Sequence, residues 1–248
     1  MKVQLNMKIL ITGATSGIGY ALVQQYYKER HEVIAIGRNK VILEQLNQCG
    51  IETWAIDLTD FNDTQNTFSD IAKKHTYIDV AILNAGNCEY IDCKNFDAQL
   101  VKRVMDANVV TMANSIHFSL PLLRNSKNPH LVGVASMVYY LPLPRSEAYG
   151  ASKAAVNYLL EAMAIDLKNE GICVTVVNPG FVKTPLTDRN DFKMPFLVDA
   201  NEAAQIIRDG IKKRKIEIHF PLKLTIPMKI LSLLPRGIWR ILGSLLKK

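Results

Sequence analysis

The sequence predicts an α/β domain on a parallel sheet, with helices on both faces and a basic amphipathic C-terminal tail. Three observations predict it. Short runs of Ile, Val, Leu and Ala alternate with helix-length stretches along most of the chain. These runs are continuously apolar, as in strands covered on both faces. The first run ends in a glycine-rich turn that opens a helix. Strands separated by helical segments imply βαβ crossovers and therefore parallel pairing.

The elements follow in order. Residues 7–12 are an apolar strand ended by Gly13, and residues 17–30 read as the helix after the glycine turn. Residues 32–36 are short and β-branched; residues 40–48 are helical. Residues 51–56 form a strand followed by Asp57, and residues 61–74 a helix. Residues 78–83 end in Asn84-Ala85-Gly86, and a long helix spans 97–123. A strand at 131–135 precedes a long helix over 147–169. The strand at 172–177 is stopped by Asn178-Pro179-Gly180, and a helix at 200–213 leads to a last strand at 216–220. There is no repeat and no low-complexity linker. The economical division is one domain over residues 1–220 and a tail over 221–248.

Composition narrows the function classes. The chain has 248 residues, 48% hydrophobic and 21% charged, with mean hydropathy +0.05. That excludes disorder or a collagen-like chain. Of the formal charge of +7, six units are Lys223, Lys229, Arg236, Arg240, Lys247 and Lys248 in the tail, which has no acid. The body is nearly neutral, which argues against a nucleic-acid-binding face. Cys49, Cys88, Cys93 and Cys173 form no CxxC pair, and a chain of this length needs no disulfide to fold. A cytoplasmic setting is expected, without a signal peptide, spanning helix or metal site.

The first turn reads Thr12-Gly13-Ala14-Thr15-Ser16-Gly17-Ile18-Gly19. Glycine lets backbone approach a ligand closely, and a helix N-terminus favours phosphate. With Asn84-Ala85-Gly86, Ser136, Tyr149-Gly-Ala-Ser-Lys153 and Asn178-Pro179-Gly180 in this order, the chain resembles the short-chain dehydrogenase/reductase family over about residues 7–220. The resemblance implies a single Rossmann-type domain with a seven-stranded parallel sheet, assembled as a homodimer or homotetramer.

Tyr149 and Lys153 lie four apart, on one helix face. A phenol has a reference pKa of about 10, and a neighbouring ammonium favours its ionised form. The pair can exchange a proton with a carbonyl or alcohol oxygen, and Ser136 could bond the same oxygen. Alone, the pair reads as a solvated helix face; Ser136 and the glycine loop make it a candidate site. By resemblance, Tyr149 is the proton donor or acceptor. Lys153 lowers the Tyr149 pKa and bonds the nicotinamide ribose, Ser136 positions the substrate oxygen, and Asn108 holds a relay water. The resemblance further implies that Gly13, Ser16, Gly17, Ile18 and Gly19 line the pyrophosphate side. It places Asp57 and Leu58 at the adenine, Asn84, Ala85 and Gly86 at the adenine ribose, and Pro179, Gly180, Val182 and Thr184 at the nicotinamide amide. An Asp after a strand also caps turns.

The second strand ends Ile36-Gly37-Arg38. An acid there would accept from a ribose 2′-OH; Gly37 stands in its place. The Arg38 guanidinium suits a 2′-phosphate, so NADP is expected ahead of NAD. Cys88, Tyr90, Met137, Tyr139, Phe181, Leu186, Met194, Phe196 and Leu197 suggest an apolar pocket for a lipophilic ketone, aldehyde, acyl-type or alcohol substrate. A rival reading, a non-catalytic NADP-binding sensor or membrane-associated scaffold, has no use for the proton-relay set.

From Lys229 onward, Lys229, Ser232, Arg236, Arg240, Ser244 and Lys247 fall on one helical face. Ile230, Leu231, Leu234, Ile238, Ile241, Leu242 and Leu245 fall on the other, and Pro235 divides the run into two short helices. Such a tail suits the inner face of a membrane as a peripheral anchor, or an arm packing on a sister subunit. Packing explains the leucines but not the absence of acids.

Overall fold

The computed structural model describes residues 6–245. Lys8–Thr12 (β1), Glu32–Gly37 (β2), Glu52–Ala55 (β3), Val80–Leu83 (β4), His130–Val134 (β5), Cys173–Pro179 (β6) and Glu217–Phe220 (β7) form one seven-stranded sheet in the order β3-β2-β1-β4-β5-β6-β7. Every pairing is parallel. The helices are Gly17–Lys28 (α1), Lys40–Gln48 (α2), Phe61–Lys74 (α3), Ala98–Met105 (α4), Thr111–Arg124 (α5), Glu147–Asp166 (α6), Ala200–Lys212 (α7), Leu222–Leu231 (α8) and Arg236–Ser244 (α9).

The continuous apolar runs have a direct physical reading. Successive strand side chains point to opposite faces, so each run supplies two cores. Ile9, Ile11, Val33, Ala35, Val80 and Ile82 pack with Leu22 and Tyr26 of α1, Leu43 of α2 and Ile207 of α7. Their neighbours Leu10, Ile34, Ile36, Ala81 and Leu83 pack with Phe68 of α3, Met112 and Ile116 of α5, and Val156 and Leu160 of α6. The expected fold class is the observed one.

Two elements differ from expectation. The helix expected over 97–123 holds a π-helical stretch, Asp106–Val110, between α4 and α5. The sequence does not mark it, because Asp106, Ala107, Asn108, Val109 and Val110 fit a regular helical turn as readily. The tail folds back, and α8 starts at Leu222, well before Lys229. Pro235 stands just ahead of α9, so the expected polar face does not continue through residues 232–235. Lys247 and Lys248 lie outside the described residues. Among the described residues, no helix is long and apolar enough to cross a membrane.

His130 on β5 gives the fold a pH dependence. It is 3% exposed, and its Nε2 lies 2.7 Å from Thr175 Oγ1. Thr175 donates its own proton to the Lys215 carbonyl, so the imidazole is the donor. Burial, then Arg214, pushes its pKa down to about 4. The unfolded chain binds this proton near pH 6.5, whereas the folded chain holds it only near pH 4. Stability present above about pH 6.5 is therefore lost as pH falls, by up to roughly 3 kcal/mol. We expect His130→Gln to flatten the decline of the unfolding midpoint between pH 7 and pH 4; an unchanged slope would exclude His130 as its source.

Candidate active site

The sheet order reverses beside β1, whose sequence neighbour β2 lies on one side and β4 on the other. Loops leaving strand ends at such a point diverge and leave a crevice. The Thr12 hydroxyl ties two of these loops together, accepting the N–H groups of Asn84 at 3.0 Å and Ala85 at 3.1 Å. Asn84 Nδ2 returns bonds to the carbonyls of Thr12 and Gly13. Gly13 has φ +65°, and a Cβ there would stand 2.9 Å from Ala85 Cα. Ser16 caps α1 without a side-chain capping bond, and the first turn holds no acid. The helix therefore presents unused donors and a positive dipole end to the crevice, a fit for a phosphate.

Nearly all the sequence-predicted residues line this crevice. Gly13, Ser16, Gly17 and Ile18 come from the first loop, and Arg38, Asp57 and Leu58 from the ends of β2 and β3. Asn84, Ala85 and Gly86 follow β4; Ser136, Tyr149 and Lys153 come from beyond β5 and from α6; Pro179, Gly180, Val182 and Thr184 lie at and beyond the end of β6. Gly19 does not line it. A Cβ on Gly19 would sit 2.2 Å from the Gly13 carbonyl oxygen, so this glycine is a close-packing residue beneath the loop.

At one end, the Arg38 guanidinium lies 3.6 Å from Asp57, with its side chain 73% exposed. Partial burial would raise the Asp57 pKa; bonds from the Thr59 N–H and hydroxyl, with Arg38, hold it below the usual carboxylate range. Asp57 is thus both a turn-capping residue and a wall of the crevice.

At the other end, Ser136 and Tyr149 stand together in the crevice wall. Lys153 is 5% exposed and donates to the Val134 carbonyl at 2.9 Å. Burial pulls its pKa down to about 8. The Tyr149 phenol is raised above its ordinary value, first by burial and then by Cys88, with Ser136 acting the other way. This corrects the expectation that Lys153 lowers that pKa: its ammonium lies 5.9 Å from the Tyr149 ring centre and is turned to a carbonyl. Asn108 sits in the π-helical stretch, where such bulges often mark functional sites. Its Oδ1 accepts the Asn87 N–H at 2.7 Å, and its Nδ2 donates to the Asn87 carbonyl and Ser152 Oγ. Its side chain holds the loop after β4 rather than facing the crevice.

The family model for short chain dehydrogenases matches residues 7–194. The chain belongs to the short-chain dehydrogenase/reductase family. It is an oxidoreductase acting on CH–OH or C=O groups with a nicotinamide cofactor. It is 31% identical over 236 residues to an uncharacterized oxidoreductase of Myxococcus xanthus, covering 93% of each chain. A short-chain dehydrogenase from Streptomyces avermitilis superposes with TM-score 0.84 at 21% identity, over 97% of this chain and 96% of that one. A family member from Burkholderia phymatum, solved with NAD, gives TM-score 0.81 at 21% identity over 92% and 94%.

The loops beyond the Tyr149 end of the crevice were less legible in the sequence of this family member. Tyr90 donates to Asn190 Oδ1 at 2.9 Å, 100 residues away, and its ring meets Phe192 edge-on. Arg145 pairs with Asp191 and lies over the Tyr90 ring. Asn190, Asp191, Phe192 and Arg145 were not anticipated, and no local spacing could have signalled them. Cys88 stands close enough to Tyr149 to raise its pKa, and burial pushes the thiol itself up to about 11. Phe196 and Leu197 are 51% and 43% exposed. Tyr139 faces the C-terminal helices, where it lines a separate hollow with Tyr140 and Lys229.

Replacing Gly19 by Ala tests the close packing. Overfilling a packed site costs typically 1–3 kcal/mol, and each kcal/mol lowers the midpoint by about 2–4 °C in a domain of this size. We expect both a lower midpoint and weaker cofactor binding, read by thermal unfolding and titration; a variant with wild-type values would show that the loop yields freely.

Proposed function

We propose that the protein is an NADP(H)-dependent reductase or dehydrogenase of a lipophilic ketone, aldehyde or acyl-type carbonyl and its alcohol. The observation that carries this reading is the convergence of Ser136, Tyr149 and buried Lys153 at one end of a crevice whose other end holds Arg38. The nicotinamide supplies the hydride when bound. Ser136 and Tyr149 bond the substrate oxygen and hold it in line. A phenol whose pKa is raised stays protonated near neutral pH, the form that donates, which favours carbonyl reduction. Lys153, with a pKa near 8, remains largely cationic at this end of the crevice and would bond the nicotinamide ribose. Asn108 fixes Asn87 and Ser152 around this group and supports the relay.

For the cofactor, the unfilled donors at Ser16, Gly17 and Ile18 suit a pyrophosphate. Asp57 and Leu58 suit the adenine, with Asn84, Ala85 and Gly86 at its ribose; Pro179, Gly180, Val182 and Thr184 suit the amide. Arg38 is exposed at the crevice mouth, and no acid stands at Gly37; this favours a 2′-phosphate. We further propose division at about residue 220, a cytoplasmic location with peripheral membrane attachment, and a homo-oligomer. Tyr158 and Ile165, 80% and 75% exposed and seven apart on α6, support the last.

Tyr149→Phe is expected to lower turnover by about 10²–10⁴-fold while cofactor titration stays near wild type; near-normal turnover would sink this mechanism. Charge-assisted bonds are worth about 1.5–3 kcal/mol. Arg38→Asp should therefore lower the NADPH-to-NADH ratio of kcat/KM by roughly ten- to a hundredfold. An unchanged ratio would mean Arg38 does not meet the cofactor.

A further inference from the structure

The C-terminal helices have three distinct sides. On α9, Trp239 and Gly243 turn inward, and Trp239 is 8% exposed. Its indole N–H donates to the Pro142 carbonyl at 2.9 Å. Ile238, Ile241 and Leu245 follow at spacings of three and four on the opposite side, 47%, 69% and 76% exposed. Arg236 and Arg240, four apart, are exposed on the polar side of α9, away from that apolar strip. On α8, Leu222, Ile226 and Ile230 recur every four residues, 56%, 45% and 61% exposed, and Leu233 just beyond is 84% exposed. Thr225 is buried on the inner side, and Lys229 pairs with Glu217.

The inner side is joined to the substrate side of the crevice. Pro142 lies on the segment between Ser136 and Tyr149, and the same segment ends in Arg145, which grips Asp191. Glu217 accepts from Tyr140, on that segment, at 2.7 Å, and from Asn178 of β6 at 2.9 Å, while its other oxygen meets Lys229.

We infer that α8 and α9 form a face that docks on an anionic lipid bilayer, and that the substrate is a long-chain carbonyl dissolved in that bilayer. The occupant is identified by charge. No acid lies between Pro221 and Lys248, and among the described residues Lys229 alone of this segment takes part in an ion pair. Lys223, Arg236 and Arg240 are exposed and take part in no ion pair among the described residues. A bilayer with acidic headgroups accepts such a combination, with the apolar strips toward the acyl chains and the cations at the headgroup level. The rim held by Trp239 then stands at the lipid surface. The inference rests on the reductase reading above, and it assigns that site's substrate class.

The test uses the full chain and the variant Ile238→Ser/Ile241→Ser, whose altered side chains face solvent. The probes are phosphatidylcholine vesicles with and without phosphatidylglycerol, a short-chain water-soluble aldehyde, and a long-chain aldehyde loaded into the vesicles. Wild type should sediment with the phosphatidylglycerol vesicles and be released by salt. The variant should bind them about tenfold or more weakly, keep its short-chain turnover, and lose the gain in long-chain turnover that the anionic vesicles give wild type. Trp239→Phe keeps the ring but removes the N–H. It should still sediment, with a raised KM for the vesicle-held aldehyde and unchanged cofactor affinity.

Wild-type protein that stays in the supernatant while reducing both aldehydes would overturn the docking face and leave the reductase reading standing. If, in addition, the variant changed its mass by light scattering, the strips would be a subunit contact. Sedimentation with equal turnover by wild type and variant on vesicle-held aldehyde would overturn lipid delivery. Absence of turnover on every carbonyl, with normal sedimentation, would overturn the reductase reading and the assigned substrate with it.

Discussion

The site depends on one hydroxyl. Thr12 closes the first strand, and its Oγ1 accepts the backbone N–H groups of both Asn84 and Ala85. Two loops that diverge from a parallel sheet have no ladder to join them beyond the last strand pair. A buried side chain that accepts twice replaces those missing backbone bonds. Gly13 and Gly19 then bring the chain so close to Asn84 and Ala85 that neither position has room for a Cβ. The unused donors at Ser16 and the α1 N-terminus are thereby aimed into the crevice at a fixed height above the sheet.

Burial dominates the electrostatics at the opposite end. Tyr149, Lys153 and Cys88 are all shifted toward their neutral forms, with desolvation the largest cause in each case. A low-polarity site keeps the phenol protonated and leaves the ammonium as the one group able to hold charge there. Lys153 holds its place by bonding to the Val134 carbonyl. Ser136, beside the phenol, acts against the effect of burial there.

The fold was legible because its strands are buried on both faces, so their composition alone separates them from the helices. Alternate residues such as Leu10 and Ile11 reach different cores, yet both must be apolar. Most crevice residues were legible because each lies one or two positions past a strand end, where backbone direction dictates what it can reach. The rest depended on where loops meet. Tyr90 with Asn190, Arg145 with Asp191 and Trp239 with Pro142 are separated by 100, 46 and 97 residues. Gly19 is required by close packing against the Gly13 carbonyl, and in sequence such a glycine looks the same as one needed for a ligand. The π-helical stretch left no mark because its turn carries the same apolar residues as a regular one. The direction of the Tyr149 shift followed from depth, which a four-residue spacing to Lys153 does not encode.

Glu217 makes the C-terminal segment hard to separate from the rest. It is a half-buried carboxylate on the last strand, satisfied by Tyr140 and Asn178 from the body and by Lys229 from the tail. A chain ending at Phe220 would keep all seven strands but lose the one cation that balances this carboxylate. The residual negative charge would lie against Tyr140, on the segment that joins Ser136 to Tyr149. Grafting, swapping or trimming the tail at that boundary therefore removes a partner of Glu217. Any recombination in this region would have to carry Glu217 and Lys229 together.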